Sequence, residues 1–286
     1  MKKLHGVFTA LITPFHYGEV DLDRFQLLCQ RQLDAGIDGL VPCGTTGETP
    51  SLSSKEWSAL ISIAVKTAAG KVPVIAGCGT NATSTTIQHI HQAKLLGADA
   101  ALVVFPYYNK PNPDGLRAHV RAACAEDLPV VLYHVPGRTG QSIPASLLAE
   151  LCREKGVVGL KEASGDPILG QQLLNLLSDT EVSLLSGDDF SFAAMTTMGF
   201  DGGISVLSNP APSLTKQWFA AAEHGDIATI RGLRQQLLPV VEALFASSNP
   251  VPCKGIMSAM NLVNNELRLP LTAEPAPDIS IFGVLQ

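Results

Sequence analysis

Eight short apolar runs recur along this chain, and a longer amphipathic segment follows each of them. Gly, Pro or Asn residues bound the runs, which is typical of buried strands. The runs lack strict alternation of polar and apolar residues, as expected of parallel strands that are buried on both faces. The predicted strands are 7–13, 39–42, 72–77, 100–105, 130–133, 157–160, 182–185 and 203–206.

The segments between and after these runs predict helices. One helix start is marked by a capping box, because Glu56 follows Ser53 by three residues. The predicted helices are 22–35, 54–69, 83–96, 113–124, 144–153, 168–177, 190–198, 213–224, 227–246 and 252–261. Eight strand–helix units favour an α/β fold, a closed (β/α)8 TIM barrel with a C-terminal helical extension. We expect the barrel to span residues 1–225 and the helical region to span residues 226–286.

Composition excludes several classes of protein. Hydrophobic residues make up 46% of the 286 residues and charged residues 16%, so the chain is not a disordered protein. The net charge of −6 argues against nucleic acid or an anionic membrane as a partner. The six cysteines show no paired spacing, which indicates reduced thiols rather than disulfides or a zinc site. We expect a cytoplasmic protein.

Lys161 is the leading candidate for chemistry. It ends the apolar run that begins at Val157, so a buried strand would carry its amine to the mouth of the barrel. A low-dielectric environment disfavours the ammonium form, and a neutral amine can form a Schiff base. The simpler interpretation is a lysine that extends to solvent from a strand end.

Other polar residues follow the same ends of neighbouring strands. The segment Gly44–Glu48 could converge backbone N–H groups on an anion, and the Thr46 hydroxyl could relay a proton. Tyr133 is a candidate for proton transfer, and the planar guanidinium of Arg138 suits a carboxylate. Each has a plainer interpretation, such as a capping turn for the threonines or a loop salt bridge for Arg138. The segment 186–189 is most simply a helix cap, and the glycines before Ile204 would let a ligand approach the backbone.

No metal or cofactor is expected. His89 and His91 fall on a predicted helix at a spacing that directs their side chains apart, and no acidic or cysteine ligands lie nearby in the sequence.

Three motifs, in this order, resemble the signatures of the dihydrodipicolinate synthase and N-acetylneuraminate lyase superfamily. They are 44–48 (GTTGE), 133–140 (YHVPGRTG) and 159–163 (GLKEA), and the likeness extends from residue 6 to residue 254. The resemblance implies a class I aldolase on a (β/α)8 barrel, commonly a homotetramer or homodimer. It also implies that the only covalent intermediate is an imine on Lys161, without a cofactor.

Within the superfamily, Arg138 resembles the arginine of the dihydrodipicolinate synthase branch, which serves lysine and diaminopimelate biosynthesis. This resemblance implies that pyruvate condenses with L-aspartate 4-semialdehyde. Lys161 would then be the nucleophile, Tyr133 and Thr46 a proton relay, and Tyr108 its third member, supplied across a subunit interface. The implied substrate-binding residues are Thr45, Thr46, Arg138, Gly187 and Ile204.

Two departures from the family pattern bear on function. His134 stands where the synthases most often have asparagine. The positions that match the family's allosteric lysine site are Thr49, Ser54, Trp57, Asn81, Thr85 and Tyr107. Thr85 replaces an acidic residue there, so we expect weak or absent inhibition by lysine.

Two other functions remain open on the sequence alone. One is an aldolase that releases pyruvate from a sugar acid, and the other is a barrel that senses a 2-oxo acid without catalysis.

Overall fold

The computed structural model describes residues 3–285, and eight parallel strands form its centre. The strands are β1 (Gly6–Ala10), β2 (Gly39–Val41), β3 (Ile75–Gly77), β4 (Ala100–Val104), β5 (Val130–His134), β6 (Val157–Glu162), β7 (Ser183–Ser186) and β8 (Gly202–Ser205). They pair in the order β2–β1–β8–β7–β6–β5–β4–β3. A parallel bridge between Leu40 and Val74 joins the two ends of this order. The sheet therefore closes into the predicted barrel.

Helices surround this barrel and continue beyond it. They are α1 (Leu22–Asp34), α2 (Ser54–Ala68), α3 (Thr83–Leu95), α4 (Pro113–Cys124), α5 (Ala145–Cys152), α6 (Pro167–Leu176), α7 (Phe192–Met198), α8 (Pro212–Glu223), α9 (Ile227–Leu244) and α10 (Val251–Ala259). The capping box is confirmed: the Ser53 hydroxyl accepts from the Glu56 N–H, and the Glu56 carboxylate accepts from the Ser53 N–H. Local sequence alone specified that helix start.

The first strand differs from its prediction. It ends at Ala10 rather than at residue 13, and the chain then forms a short hairpin that pairs Phe15–His16 with Glu19–Val20. The hydrogen bonds supply the reason, because the Ile12 N–H donates to the Asn209 side chain at 3.3 Å rather than to a neighbouring strand. The hairpin was absent from the sequence prediction, since two-residue strands carry too little periodicity to be recognised.

Side chains of each barrel strand alternate between two apolar layers. On β5, Val130 and Leu132 pack outward against the helices, whereas Val131 and Tyr133 lie in the barrel interior. A further cluster joins Val7 at the base of the barrel to Leu237 and Val241 of α9. The helical region thus shares a core with the barrel, and the division near residue 225 stays a prediction.

A buried ion pair also joins the barrel to the helical region. Lys254 of α10, whose side chain is fully buried, contacts the carboxylate of Glu48, which follows β2. The Lys254 Nζ also donates to the main-chain oxygen of Glu266 at 2.8 Å and lies 4.0 Å from the centroid of the Phe15 ring. Glu48 has a φ of 54°, a left-handed conformation that costs energy in a non-glycine residue. The ion pair therefore fixes the conformation of the loop after β2.

We predict that Lys254→Met lowers the free energy of unfolding by about 3–5 kcal/mol, because the buried Glu48 carboxylate would lose its ion-pair partner and keep the Arg268 N–H at 3.1 Å. Urea unfolding measures this change. Arg117→Gln is the matched control: it breaks the exposed ion pairs of Arg117 with Glu150 and Asp114 and should leave the free energy of unfolding close to that of wild type. A loss below 1 kcal/mol in Lys254→Met would contradict the proposed importance of the buried pair.

Candidate active site

Neighbouring strands bring Lys161 and Tyr133 together at the C-terminal edge of the barrel. The two residues are direct partners in the parallel pairing of β5 with β6. Both side chains are buried, and the Lys161 Nζ lies 4.3 Å from the centroid of the Tyr133 ring. Lys161 therefore does not extend to solvent, which removes the simpler interpretation of this residue.

The environment of Lys161 lowers the pKa of its side-chain amine. Burial lowers the pKa of its ammonium from 10.5 to about 8, the Asp189 carboxylate partly opposes this shift, and the positive charge of Arg138 adds to it. A substantial fraction of the amine is then neutral near pH 8, as a nucleophile requires.

Close packing holds the lysine stem in place. A Cβ atom added at Gly187 would lie 2.6 Å from Lys161 Cε and 2.7 Å from Ala163 Cβ, so a larger residue at 187 would displace the lysine. Ile204, on β8, is buried in the same interior layer as Tyr133. Gly187 and Ile204 thus border the site, although their proposed contacts with a substrate stay a prediction.

The groups around Tyr133 shift the pKa of its phenol in opposite directions. Burial raises its pKa, whereas the Arg138 charge and a side-chain hydrogen bond with Thr45 lower it, and the Glu162 carboxylate raises it again. The hydroxyl that contacts Tyr133 directly is thus that of Thr45. The Thr46 hydroxyl accepts a hydrogen bond from Asn249 Nδ2 at 2.9 Å.

The turn after β2 is tight, but its unusual backbone conformations fall on residues other than the glycines. Thr45–Gly47 form a single 3-10 turn. Left-handed φ values occur at Cys43 and Glu48, while Gly44 has a φ of −80°. Gly47 instead lets the turn approach the end of β1 closely, since an added Cβ would lie 3.3 Å from the main-chain oxygen of Leu11. The N–H groups of Thr45 and Thr46 begin this turn, where a helical segment has no internal acceptor for them.

One cavity of about 410 Å3 lies beside these groups. Its lining includes Thr45, Tyr133 and Arg138 as well as Thr49, Tyr107 and His89. The Arg138 side chain is largely exposed and donates to the main-chain oxygen of Asn249 at 3.0 Å. Its remaining N–H groups can bind a carboxylate.

Only some of the predicted allosteric positions adjoin this cavity. Thr49 and Tyr107 line it, and Trp57 lies buried beside it, stacked on His89 with ring centroids 4.9 Å apart. Ser54, Asn81 and Thr85 are not among its lining residues in the described part of the chain. Whether these six positions bind a ligand stays a prediction.

Tyr108 points away from the site in a single chain. Its side chain is 89% exposed, and its φ of 71° is unfavourable for an aromatic residue. The neighbouring Asn109 side chain donates to the main-chain oxygen of Asn81 at 2.7 Å, which anchors the loop. An exposed tyrosine on an anchored loop fits a contact with another subunit, although the single chain does not test that role.

His134, which follows Tyr133, forms a buried pair with Glu162, which follows Lys161. The His134 Nε2 accepts from the Ile143 N–H at 3.2 Å, so its Nδ1 carries the proton and donates to Glu162 Oε1 at 3.1 Å. A neutral imidazole thus supplies the donor that an asparagine amide could supply at this position.

Sequence reasoning missed Asp189 and Asn249. Asp189 accepts from the N–H groups of Val206 and Leu207 at 2.9 and 3.0 Å, whereas Asp188 accepts from the Ser191 N–H at the start of α7. Only Asp188 has the capping role expected of the segment. A buried carboxylate close to a lysine leaves no local sequence signal.

The histidines of α3 diverge as predicted. His89 stacks on Trp57, while His91 lies 3.5 Å from the carboxylate of Glu126. Within residues 3–285, no group of three or more His, Cys, Asp or Glu side chains is arranged to hold a metal ion. In that same range, no helix is both long enough and apolar enough to cross a membrane.

The structure defines a (β/α)8 barrel that buries a lysine amine of lowered pKa at its C-terminal edge. A sequence profile of the dihydrodipicolinate synthetase family matches residues 3–276, and the chain belongs to this family. It is 46% identical to a 4-hydroxy-tetrahydrodipicolinate synthase of Hyphomonas neptunium over 274 residues, which cover 95% of this chain and 94% of the relative. The recognised resemblance is thereby confirmed.

Solved structures agree with the fold. A dihydrodipicolinate synthase from Thermotoga maritima superposes with a TM-score of 0.92 at 38% identity, covering 98% of this chain and 96% of the other. A chloride-inhibited dihydrodipicolinate synthase from Acinetobacter baumannii, complexed with pyruvate, superposes with a TM-score of 0.93 at 35% identity, covering 98% and 99%. The predicted TIM barrel is confirmed.

We predict that Lys161→Met stabilises the protein by roughly 2–3 kcal/mol at pH 7, because the folded state binds this proton less tightly than the unfolded chain does. The folded pKa of about 8 lies below the unfolded value of 10.5. Wild-type stability should therefore rise between pH 8 and 10.5, and the advantage of the variant should shrink there. Urea unfolding at pH 7 and pH 10 tests both statements. A variant less stable than wild type at pH 7 would contradict them.

Proposed function

We propose that this protein is a 4-hydroxy-tetrahydrodipicolinate synthase, which condenses pyruvate with L-aspartate 4-semialdehyde in lysine and diaminopimelate biosynthesis. The observation that carries the proposal is a buried amine with a pKa of about 8 against Tyr133, beside a cavity that Arg138 lines. The names of its relatives support the same activity.

The first half of the cycle forms an enamine on Lys161. The neutral amine attacks C2 of pyruvate, whose carboxylate the N–H groups of Thr45 and Thr46 bind, and the C2 oxygen leaves as water. The resulting imine withdraws electrons, so a C3 proton leaves and the enamine forms. The protons of these steps move through Tyr133 and the Thr45 hydroxyl that hydrogen-bonds to it, rather than through the predicted Thr46, whose hydroxyl is bonded to Asn249. Because the imine itself is the electron sink, the cycle requires no metal or cofactor.

The second half joins the two substrates. Arg138 binds the carboxylate of L-aspartate 4-semialdehyde, and the enamine carbon attacks its aldehyde. The substrate's amino group then attacks C2 of the imine, which breaks the bond to Lys161 and closes the ring. The one water released is the one lost on imine formation, so the atoms balance.

The relay needs a third proton carrier that the single chain does not place in its own site. We propose that Tyr108 of a neighbouring subunit fills this position, which would make a homodimer the smallest active unit and a homotetramer two such dimers. The 89% exposure of Tyr108 supports this assignment. For a biosynthetic enzyme of this kind we propose a cytoplasmic location.

The two alternatives fit the site less well. A sugar-acid aldolase would not need Arg138, yet Arg138 lines the cavity and its charge acts on both Lys161 and Tyr133. A binding protein for a 2-oxo acid would gain nothing from an amine with a lowered pKa, because a charged lysine binds a carboxylate better.

We predict that the purified protein consumes L-aspartate 4-semialdehyde only when pyruvate is present, measured through the coupled reductase as loss of NADPH. Lys161→Ala should abolish both turnover and pyruvate-dependent inactivation by borohydride, because no imine can form. Arg138→Ala should lower turnover by roughly 100-fold but leave borohydride trapping, since pyruvate binds elsewhere. Trapping without turnover in wild type would shift the assignment to the sugar-acid aldolases, and binding of pyruvate without trapping would indicate a sensor.

We predict weak inhibition by L-lysine, because Thr85 lacks the carboxylate that would pair with the ligand's ammonium. Losing a charge-assisted hydrogen bond costs roughly 1.5–3 kcal/mol, which corresponds to roughly tenfold or more in affinity. Initial rates across a lysine series measure this effect. Thr85→Glu is the matched gain-of-function variant and should strengthen inhibition at least tenfold. A low-micromolar inhibition constant for the wild type would contradict the prediction.

A further inference from the structure

His134 connects the loop that carries Arg138 to the strand that carries Lys161. It is the last residue of β5, and it is 1% exposed. The imidazole Nδ1 donates to Glu162 Oε1 at 3.1 Å, and Nε2 accepts from the Ile143 N–H at 3.2 Å. One ring therefore contacts both the residue after Lys161 and a residue just before α5.

The loop that presents Arg138 begins after His134 and ends before Ile143. The hydrogen bond between these two residues therefore joins the ends of the loop. Within the loop, the Thr139 N–H and hydroxyl both donate to the main-chain oxygen of Val135, at 3.0 and 3.2 Å. The loop is thus a closed unit, and the atom that closes its base is His134 Nε2.

The Ile143 N–H depends on this acceptor. Ile143 is 4% exposed, and His134 Nε2 is the only hydrogen-bond partner found for its N–H among residues 3–285. An unpaired buried N–H costs free energy comparable to that of a lost hydrogen bond. Removal of Nε2 alone should therefore release the base of the loop. The bond from the Arg138 side chain to the Asn249 main-chain oxygen does not replace this closure, because it holds only the guanidinium.

The bond to Glu162 holds the imidazole in the tautomer that the acceptor role requires. Glu162 Oε1 accepts from His134 Nδ1 and also from the Ser164 N–H at 2.8 Å. With the ring proton on Nδ1, Nε2 keeps its lone pair for the Ile143 N–H. Because Glu162 follows Lys161 directly, the same ring ties the loop to the strand of the buried amine.

Substitutions can separate the two contacts of His134. The amide nitrogen of an asparagine lies as many bonds from Cβ as the imidazole Nδ1 does, so it could still donate to Glu162. An asparagine has no atom in the place of Nε2, and the Ile143 N–H would lose its acceptor. A glutamine has the opposite property, because its amide oxygen lies as many bonds from Cβ as Nε2 does.

We propose that His134 is a positioning residue for the second substrate, L-aspartate 4-semialdehyde. Its Nε2 holds the base of the loop, so that the Arg138 guanidinium stays at the cavity that Tyr133 also lines. Pyruvate, which is bound by the N–H groups of the turn after β2, does not depend on this loop. This inference rests on the proposed synthase activity.

The test compares the two substrates in the two variants. His134→Asn should raise KM for L-aspartate 4-semialdehyde roughly fivefold or more, while KM for pyruvate and the rate of borohydride trapping stay within about twofold of wild type. His134→Gln restores the acceptor and should keep KM for L-aspartate 4-semialdehyde within about twofold. A rise of both KM values together in His134→Asn would indicate a general loss of structure and would overturn the proposal.

His119→Asn is the matched control, because it makes the same exchange at a buried histidine outside the site. His119 contacts the Thr83 hydroxyl through Nδ1 at 2.9 Å, and no hydrogen-bond partner for its Nε2 is found in the described part of the chain. Both KM values should stay at those of wild type in this variant. A KM change equal to that of His134→Asn would overturn the specific role of His134.

A double-mutant cycle shows whether His134 acts through Arg138. If it does, His134→Asn combined with Arg138→Ala should have a kcat/KM for L-aspartate 4-semialdehyde within about twofold of Arg138→Ala alone, because the position of the loop matters only through the guanidinium. Independent, multiplicative losses would overturn the proposal, as would an unchanged KM in His134→Asn.

Amide hydrogen exchange in the wild type keeps the proposal testable even if His134→Asn melts below the assay temperature. The Ile143 amide should exchange much more slowly than the amides of exposed loops, because it is buried and bonded to Nε2. Exchange as fast as that of an exposed loop would show that the base of the loop is open and would overturn the proposal.

Failure of the proposed function has a different signature. Wild type that traps pyruvate but does not consume L-aspartate 4-semialdehyde would refute the synthase assignment, and with it this inference. Wild-type turnover together with an unaffected His134→Asn variant would refute the inference alone.

Discussion

The pairing of β5 with β6 determines most of what this protein can do. In that register Tyr133 and Lys161 are neighbours, and both side chains enter the barrel interior because each follows the two-residue alternation of its strand. Burial there lowers the pKa of Lys161 to about 8 and raises that of Tyr133. If β6 were shifted by one residue against β5, Glu162 would replace Lys161 in the interior and the buried amine would be lost.

The turns that complete the site depend on the C-terminal helical region. The ion pair between Glu48 and Lys254 holds the turn after β2, and Asn249 holds both Thr46 and Arg138. The contacts of Lys254 with Glu48 and of Asn249 with Thr46 are buried, so each is strong only when its partner is present. The helical region therefore helps to hold the candidate site, and the predicted boundary near residue 225 separates elements that share a core.

The fold could be predicted from the sequence because its signals are local. Apolar runs and capping residues such as Ser53 reveal strands and helices within a few residues, and the count of eight units fixes a barrel. The hairpin at Phe15 was missed because two-residue strands have no detectable period. Lys161, Tyr133 and Arg138 could be proposed from the sequence because reactive groups of a barrel lie at strand ends and the family motifs mark the same positions.

The sequence by itself determined the barrel, the family and the side chains available for chemistry, since these follow from periodicity and from motifs along the chain. Only the tertiary structure decided the pKa values and the hydrogen bonds of these side chains. The pKa of Lys161 depends on burial and on Asp189, which lies 28 residues further along, and the hydrogen-bond direction of Thr46 depends on Asn249, 203 residues away. Such effects act through space over a few ångströms in a low-dielectric interior, and no pattern along the chain encodes those distances.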